Sequence, residues 1–192
     1  MRLAKSDILK EFDRQDRSYR LAILCSHWLR DTAHYKPSAA SEARGLQMKA
    51  RGRWISYADL AEMLEQQVPC TAITSDFVLN QLHALIRAPY ELLLDYCEDY
   101  DREVPTSRTL NDLKATAWYE FTRLIRNAIS HNFHFDFSDA VKRRMPITWN
   151  GITLTTEMHG KAMTYELWHK PGYELFLEMR DFAGALPEVA ES

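Results

Sequence analysis

Along most of this 192-residue chain apolar side chains recur every three to four positions, and this helical period limits the fold to packed helices with little sheet. From Ser6 to His34, residues Ile8, Phe12, Tyr19, Ala22, Ile23 and Trp28 fall near that spacing. This predicts one long helix, with Ser6 as N-cap and Pro37 just beyond its end. Ser56 to Gln67 reads as a short helix with Ala58, Leu60, Ala61 and Leu64 inward, stopped by Val68-Pro69. Ser75 or Asp76 then caps a long helix to about Tyr100, whose apolar face includes Phe77, Leu79, Leu82, Leu85, Ile86, Leu93, Tyr96 and Cys97. Pro89 should kink or split it. Another helix runs from Thr109 or Asn111 to about His131, a helical turn falls within Asp136 to Arg144, and Tyr173 to Ala185 closes the chain after Pro171-Gly172.

The period changes at Ile147-Thr148-Trp149-Asn150-Gly151-Ile152-Thr153-Leu154-Thr155. β-branched residues flanking Asn-Gly predict a hairpin, and Gly160 turns the chain again toward Met163–Leu167. A hairpin of this size needs the helices to pack on, so 145–168 is expected as an appendage of a single domain over 1–192. Residues 36–53 are small, polar and basic, with Lys36, Arg44, Lys49, Arg51 and Arg53 against Glu42 alone. They read as an exposed basic loop, either a solvated linker or an arm that attracts phosphate. The expected fold is therefore mainly α: an up-and-down helical bundle with a C-terminal β-hairpin and closing helix.

Composition sets outer bounds. With 46% hydrophobic residues there is material for a core, and the net charge of −3 argues against coating nucleic acid through bulk charge. A local basic groove is compatible with that balance. No apolar run approaches the length of a membrane span, and the start shows no signal-peptide pattern, so a cytoplasmic location is expected. Cys25, Cys70 and Cys97 are odd in number and widely spaced, which disfavours a disulfide framework or a thiolate zinc site.

The helix ending near His131 carries the chemistry. Taking Phe121 as zero on a helical wheel, Leu110, Ala117, Leu124, Ile125 and Ala128 fall within about 40–60°, and Trp118 and Ile129 widen the stripe. Asn127 lies four residues before His131, on the same face, and is placed to fix its tautomer. Arg126 points roughly 140° away from His131 on the same wheel. The two act on one substrate only if the helix ends near Ser130 or a second subunit completes the site.

Leu124-Ile125-Arg126-Asn127-Ala128-Ile129-Ser130-His131 resembles the R-x4-6-H signature of the HEPN superfamily, in which a polar residue commonly follows the Arg. Long antiparallel helices, with the motif near the end of a late one, resemble that superfamily too. The resemblance implies a metal-independent endoribonuclease without a cofactor, acting on RNA in a toxin or defence setting. It also implies a homodimer with the motif at the interface, and an antitoxin partner resembling a nucleotidyltransferase. Arg126 and His131 would match the catalytic pair and Asn127 the polar second position. Lys49, Arg51 and Arg53 are the candidate substrate-binding residues outside the motif.

Other readings stand beside this one. His131, His134 and Asp136 form a His-x2-His-x-Asp group with three metal-ligand types, although alternating Phe133, Phe135 and Phe137 suggest an extended piece packed on the core. His27, His34, His83, His159 and His169 have no evident partners, and the acidic run Glu91, Asp95, Glu98, Asp99 and Asp101 reads as a solvated helix face. The main competing function is a non-catalytic module that binds nucleotide, nucleic acid or a partner protein.

Overall fold

The computed structural model describes residues 4–31, 36–131, 133–163 and 169–188. Among them are eight α-helices and two small antiparallel hairpins. The order is α1 (Lys5–Arg30), α2 (Lys36–Gly45), β1 (Gln47–Ala50), β2 (Arg53–Ser56), α3 (Ala58–Glu65), α4 (Gln67–Glu103), α5 (Thr109–Ala115), α6 (Tyr119–Ser130), α7 (Asp139–Lys142), β3 (Ile147–Trp149), β4 (Ile152–Leu154) and α8 (Lys170–Ala185). The protein is thus mainly helical, as the period predicts. The expected end at His34 and the return through 164–167 lie outside the described residues. The chain groups into two compact units, one of 1–16 with 82–192 and one of 17–81.

In the 17–81 unit, Ala40 and Ala43 of α2 pack with Ala61 and Leu64 of α3 and Cys70 of α4, bordered by Leu29, Tyr57 and Leu60. Arg30 at the end of α1 donates to Thr74 Oγ1 at 2.9 Å and Ser75 Oγ at 2.7 Å. The expected exposed loop at 36–53 is instead helix α2 followed by the hairpin β1–β2. The helix forms because the small residues Ala40 and Ala43 reach the core, a face without large apolar side chains for the period to reveal. Pro37 lies in its first turn, where no intrahelical N–H is required. Helix α4 begins at Gln67 and not at Ser75 or Asp76. Pro69 sits in its first turn, so it marks a start where a stop is expected. Phe77, expected inside, is 41% exposed.

In the other unit, Ile8 and Phe12 of α1 and Leu85, Ile86 and Leu93 of α4 are buried. So are Phe121, Leu124 and Ile125 of α6, and Leu175, Phe176 and Met179 of α8. The Phe12 and Phe176 rings lie 5.4 Å apart, tying α1 to α8. α4 runs as a single helix through Pro89. The helix expected from Thr109 to His131 is two helices. Thr116 is extended, and its hydroxyl donates to the Leu113 carbonyl at 2.8 Å, offering the backbone a local alternative to continued helix. Ala117 is consequently exposed, while Trp118 and Tyr119 are buried at the start of α6. The Asp101 carboxylate accepts from the backbone N–H groups of Thr109 and Leu110, at 2.9 and 3.0 Å, and caps α5 from a neighbouring helix.

The C-terminal hairpin forms where Asn-Gly predicts it. Asn150 and Gly151 both take positive φ, 45° and 78°, the conformation that lets a two-residue turn follow strand twist. Trp149 lies 5.3 Å from the Phe121 ring and donates from Nε1 to Glu178 at 3.1 Å. The hairpin therefore packs on α6 and α8.

Candidate functional site

Helix α6 fixes where the motif points. Tyr119, Phe121, Thr122, Leu124, Ile125 and Ala128 are buried, and packing of that face sets the rotation of the helix. Arg126 and Asn127 are left half-buried at its edge. The helix ends at Ser130, and His131 is the C-cap residue, with φ −104° and ψ 45°. Its backbone N–H reaches the carbonyls of Asn127 and Ala128 at 3.0 and 3.1 Å. The His131 side chain is exposed, without a hydrogen bond or ion pair among the described residues.

Arg126 is not free. Its Nε donates to Glu91 Oε1 at 3.0 Å, and Nη2 donates to the same oxygen. Its Nη1 donates to Asn127 Oδ1 at 3.2 Å. Arg87, one turn from Glu91 on α4, donates to that carboxylate at 3.1 Å. A guanidinium carries five N–H groups. Three are engaged here, and one on each Nη has no partner among the described residues. Burial alone would raise the Glu91 carboxyl, but hydrogen bonds and charge from Arg126 and Arg87 outweigh it and hold the group below its ordinary value.

Arg126, Asn127 and His131 thus sit at one helix end without forming a closed set. Asn127, expected to hold His131, pairs with Arg126. No hydrogen bond joins Arg126 to His131 among the described residues. Sequence reasoning missed Glu91 and Arg87. Their i, i+4 spacing was visible, but the α6 residue they meet depends on how α4 and α6 pack.

His83, one turn before Arg87 on α4, is also more than a surface histidine. Its ring stacks on Phe133 at 4.3 Å, just past the end of α6. It is 6% exposed, and both ring nitrogens are buried without hydrogen-bond partners among the described residues. Burial pushes its pKa down to about 4, so the ring is neutral near pH 7.

His134 is exposed and bridges to Ala162 through the backbone, and Asp136 is exposed. His159 Nδ1 accepts from the Phe137 backbone N–H at 3.0 Å, which leaves its proton on Nε2 when neutral. Among the described residues no three His, Cys, Asp or Glu side chains converge as metal ligands. Cys70 and Cys97 are buried and Cys25 partly so. Burial, reinforced by nearby carboxylates, pushes the Cys97 thiol up to about 12, far from a reactive thiolate. Lys49, Arg51 and Arg53 are exposed on the hairpin β1–β2 of the other unit. No described helix is long and apolar enough to cross a membrane. Comparison with family models, curated proteins and solved structures gives no match for this chain.

Proposed function

We propose that this protein is a metal-independent endoribonuclease of HEPN type. The observation that carries the reading is the end of α6. There Arg126 is oriented by Glu91 and Asn127 yet keeps one N–H on each Nη, and His131 stands exposed at the helix cap. A planar pair of N–H donors suits phosphate oxygens. In the proposed reaction the 2′-OH of RNA attacks the adjacent phosphorus, the bond to the 5′ oxygen breaks, and a 2′,3′-cyclic phosphate and a 5′-OH form. His131 moves a proton at the 2′-OH or at the leaving oxygen, since an imidazole nitrogen can either accept or donate one. Arg126 stabilises charge on the phosphorane. Asn127 orients Arg126, a role that its hydrogen bond supports better than contact with His131. Two copies of the chain related by a two-fold axis would present both motif ends to one substrate, in the cytoplasm, with a nucleotidyltransferase-like antitoxin holding the pair inactive.

One observation favours a second reading, a non-catalytic binding module. Arg126 already has a structural task in the network with Glu91, Arg87 and Asn127. Purified protein incubated with RNA in EDTA separates the two. Cleavage lost in both Arg126→Ala and His131→Ala supports the nuclease. Wild type without activity on any RNA supports the module, unchanged activity in both variants removes the site, and rescue only by a divalent ion removes metal independence. Light scattering that finds a monomer at micromolar concentration removes the shared site.

A further inference from the structure

The described side chains of the hairpin β1–β2 lie in solvent. Its register pairs Lys49 with Trp54 and Met48 with Ile55. Strand side chains alternate, so Lys49 and Trp54 share one face, while Met48, Arg53 and Ile55 share the other. Trp54 is 68% exposed, and Met48 and Ile55 are 47% and 42% exposed. An isolated two-stranded hairpin is marginal in water, and large apolar side chains on both faces add nothing to its own stability when left uncovered. The turn, Arg51-Gly52, takes positive φ at both residues, 49° and 76°.

Charge says what covers it. From Ala43 to Ala58 the sequence has no acidic residue but carries Arg44, Lys49, Arg51 and Arg53, in a chain whose net charge is −3. Arg44 is paired with Glu65. The other three have no ion pair among the described residues, and Lys49 Nζ lies 5.9 Å from the centre of the Trp54 ring. Lys49 on the Trp54 face and Arg51 at the turn, next to an exposed indole, match a strand that offers phosphates and unstacked bases together. A bilayer fits less well, because tip-first insertion would drive Arg51 into hydrocarbon. An acidic protein surface would use the cations but has no planar base to stack on the ring.

We propose that the β1–β2 hairpin is a binding element for single-stranded RNA, with Lys49 and Arg51 on phosphates and Trp54 stacked on a base. It rests on the RNA reading above for its choice of strand, not on cleavage. The test uses the full chain carrying His131→Ala, so that bound RNA stays intact, and fluorescence anisotropy of a labelled oligouridine of about 20 nucleotides, enough to exceed one aromatic binding site. Trp54→Ala should weaken binding roughly five- to a hundredfold, and Trp54→Phe should retain most of it. Replacing Lys49 and Arg51 together by Gln should weaken binding and reduce the salt dependence of log affinity by about 1.4, at roughly 0.7 per phosphate contact. Unchanged melting temperatures would establish that the variants fold.

Affinity and salt slope unchanged in these variants would overturn the proposal. So would the absence of any oligonucleotide binding, binding to anionic lipid vesicles in its place, or a hairpin whose changes only break a dimer. The nuclease reading is separable. Hairpin-independent cleavage that needs Arg126 and His131 retains it and sinks this proposal, while hairpin-dependent binding by wild type that cuts nothing does the reverse.

Discussion

Glu91→Gln tests whether the network around Arg126 serves chemistry or only packing. The substitution keeps the side-chain shape and an acceptor oxygen but removes the charge that faces two arginines. Arg126 is 32% exposed, Glu91 36% and Arg87 50%, so solvent screens both ion pairs. Each such pair contributes about 0.2–1 kcal/mol, which puts the stability loss at about 0.5–1.5 kcal/mol. At about 2–4 °C per kcal/mol for a chain of this size, the melting temperature should fall by about 1–6 °C. The nuclease reading adds a second effect. Arg126 would no longer be held with its free N–H groups aimed outward, and kcat for RNA cleavage should drop on the order of tenfold, about 1.4 kcal/mol, with KM nearly unchanged. Thermal melting and steady-state cleavage of a labelled RNA read the two effects separately. A lower melting temperature with kcat unchanged would refute the positioning argument and leave Arg126 a structural residue. A higher kcat would mean that Glu91 restrains Arg126.

Two further outcomes follow from the packing. His83→Leu removes two buried, unpartnered nitrogens and should raise stability at pH 5. The folded-state pKa of about 4 lies below the unfolded value near 6.5, so the unfolded chain takes up the proton first. Wild type should therefore lose up to about 3 kcal/mol as pH falls from 6.5 to 4, and the variant should lack this component in urea titrations across that range. Gly172→Ala would place a Cβ 2.8 Å from Leu82 Cδ1, itself fully buried, and should cost about 1–3 kcal/mol by thermal melting.

Local chemistry was readable where it decides local structure. Asn150-Gly151 specifies its turn through backbone conformation alone, and the apolar period located α1 and α8 and the C-terminal end of α6, but not the break at Thr116 that separates it from α5. The errors have physical causes. Helix α2 buries only Ala40 and Ala43 among apolar side chains, too little for an amphipathic signal. The β1–β2 turn puts Arg51 at positive φ, where an Asn or Asp would have announced it. Pro69 marks a helix stop or a first turn equally well until the next element is known. At the site, Arg126, Asn127 and His131 are legible as a run, whereas Glu91 reads in sequence as part of a solvated acidic face and pairs instead with Arg126. Its partner lies 35 positions along the chain, and only the packing of α4 on α6 brings it there.

The same helix supplies the core and the candidate site, and this couples the two. Six buried side chains lock the rotation of α6, so the direction of Arg126 is set by packing and not by its own rotamers alone. Glu91 then takes the Nε side of the guanidinium and Asn127 one N–H of Nη1. His131 follows the last helical turn as its C-cap, where the backbone leaves the helical conformation at φ −104° and ψ 45°. At 32% exposure water satisfies the remaining N–H groups of a structural arginine, and under the proposed reading the same side presents them to a phosphate. The proposed activity therefore stands or falls on the two N–H groups that the fold leaves without a partner among the described residues.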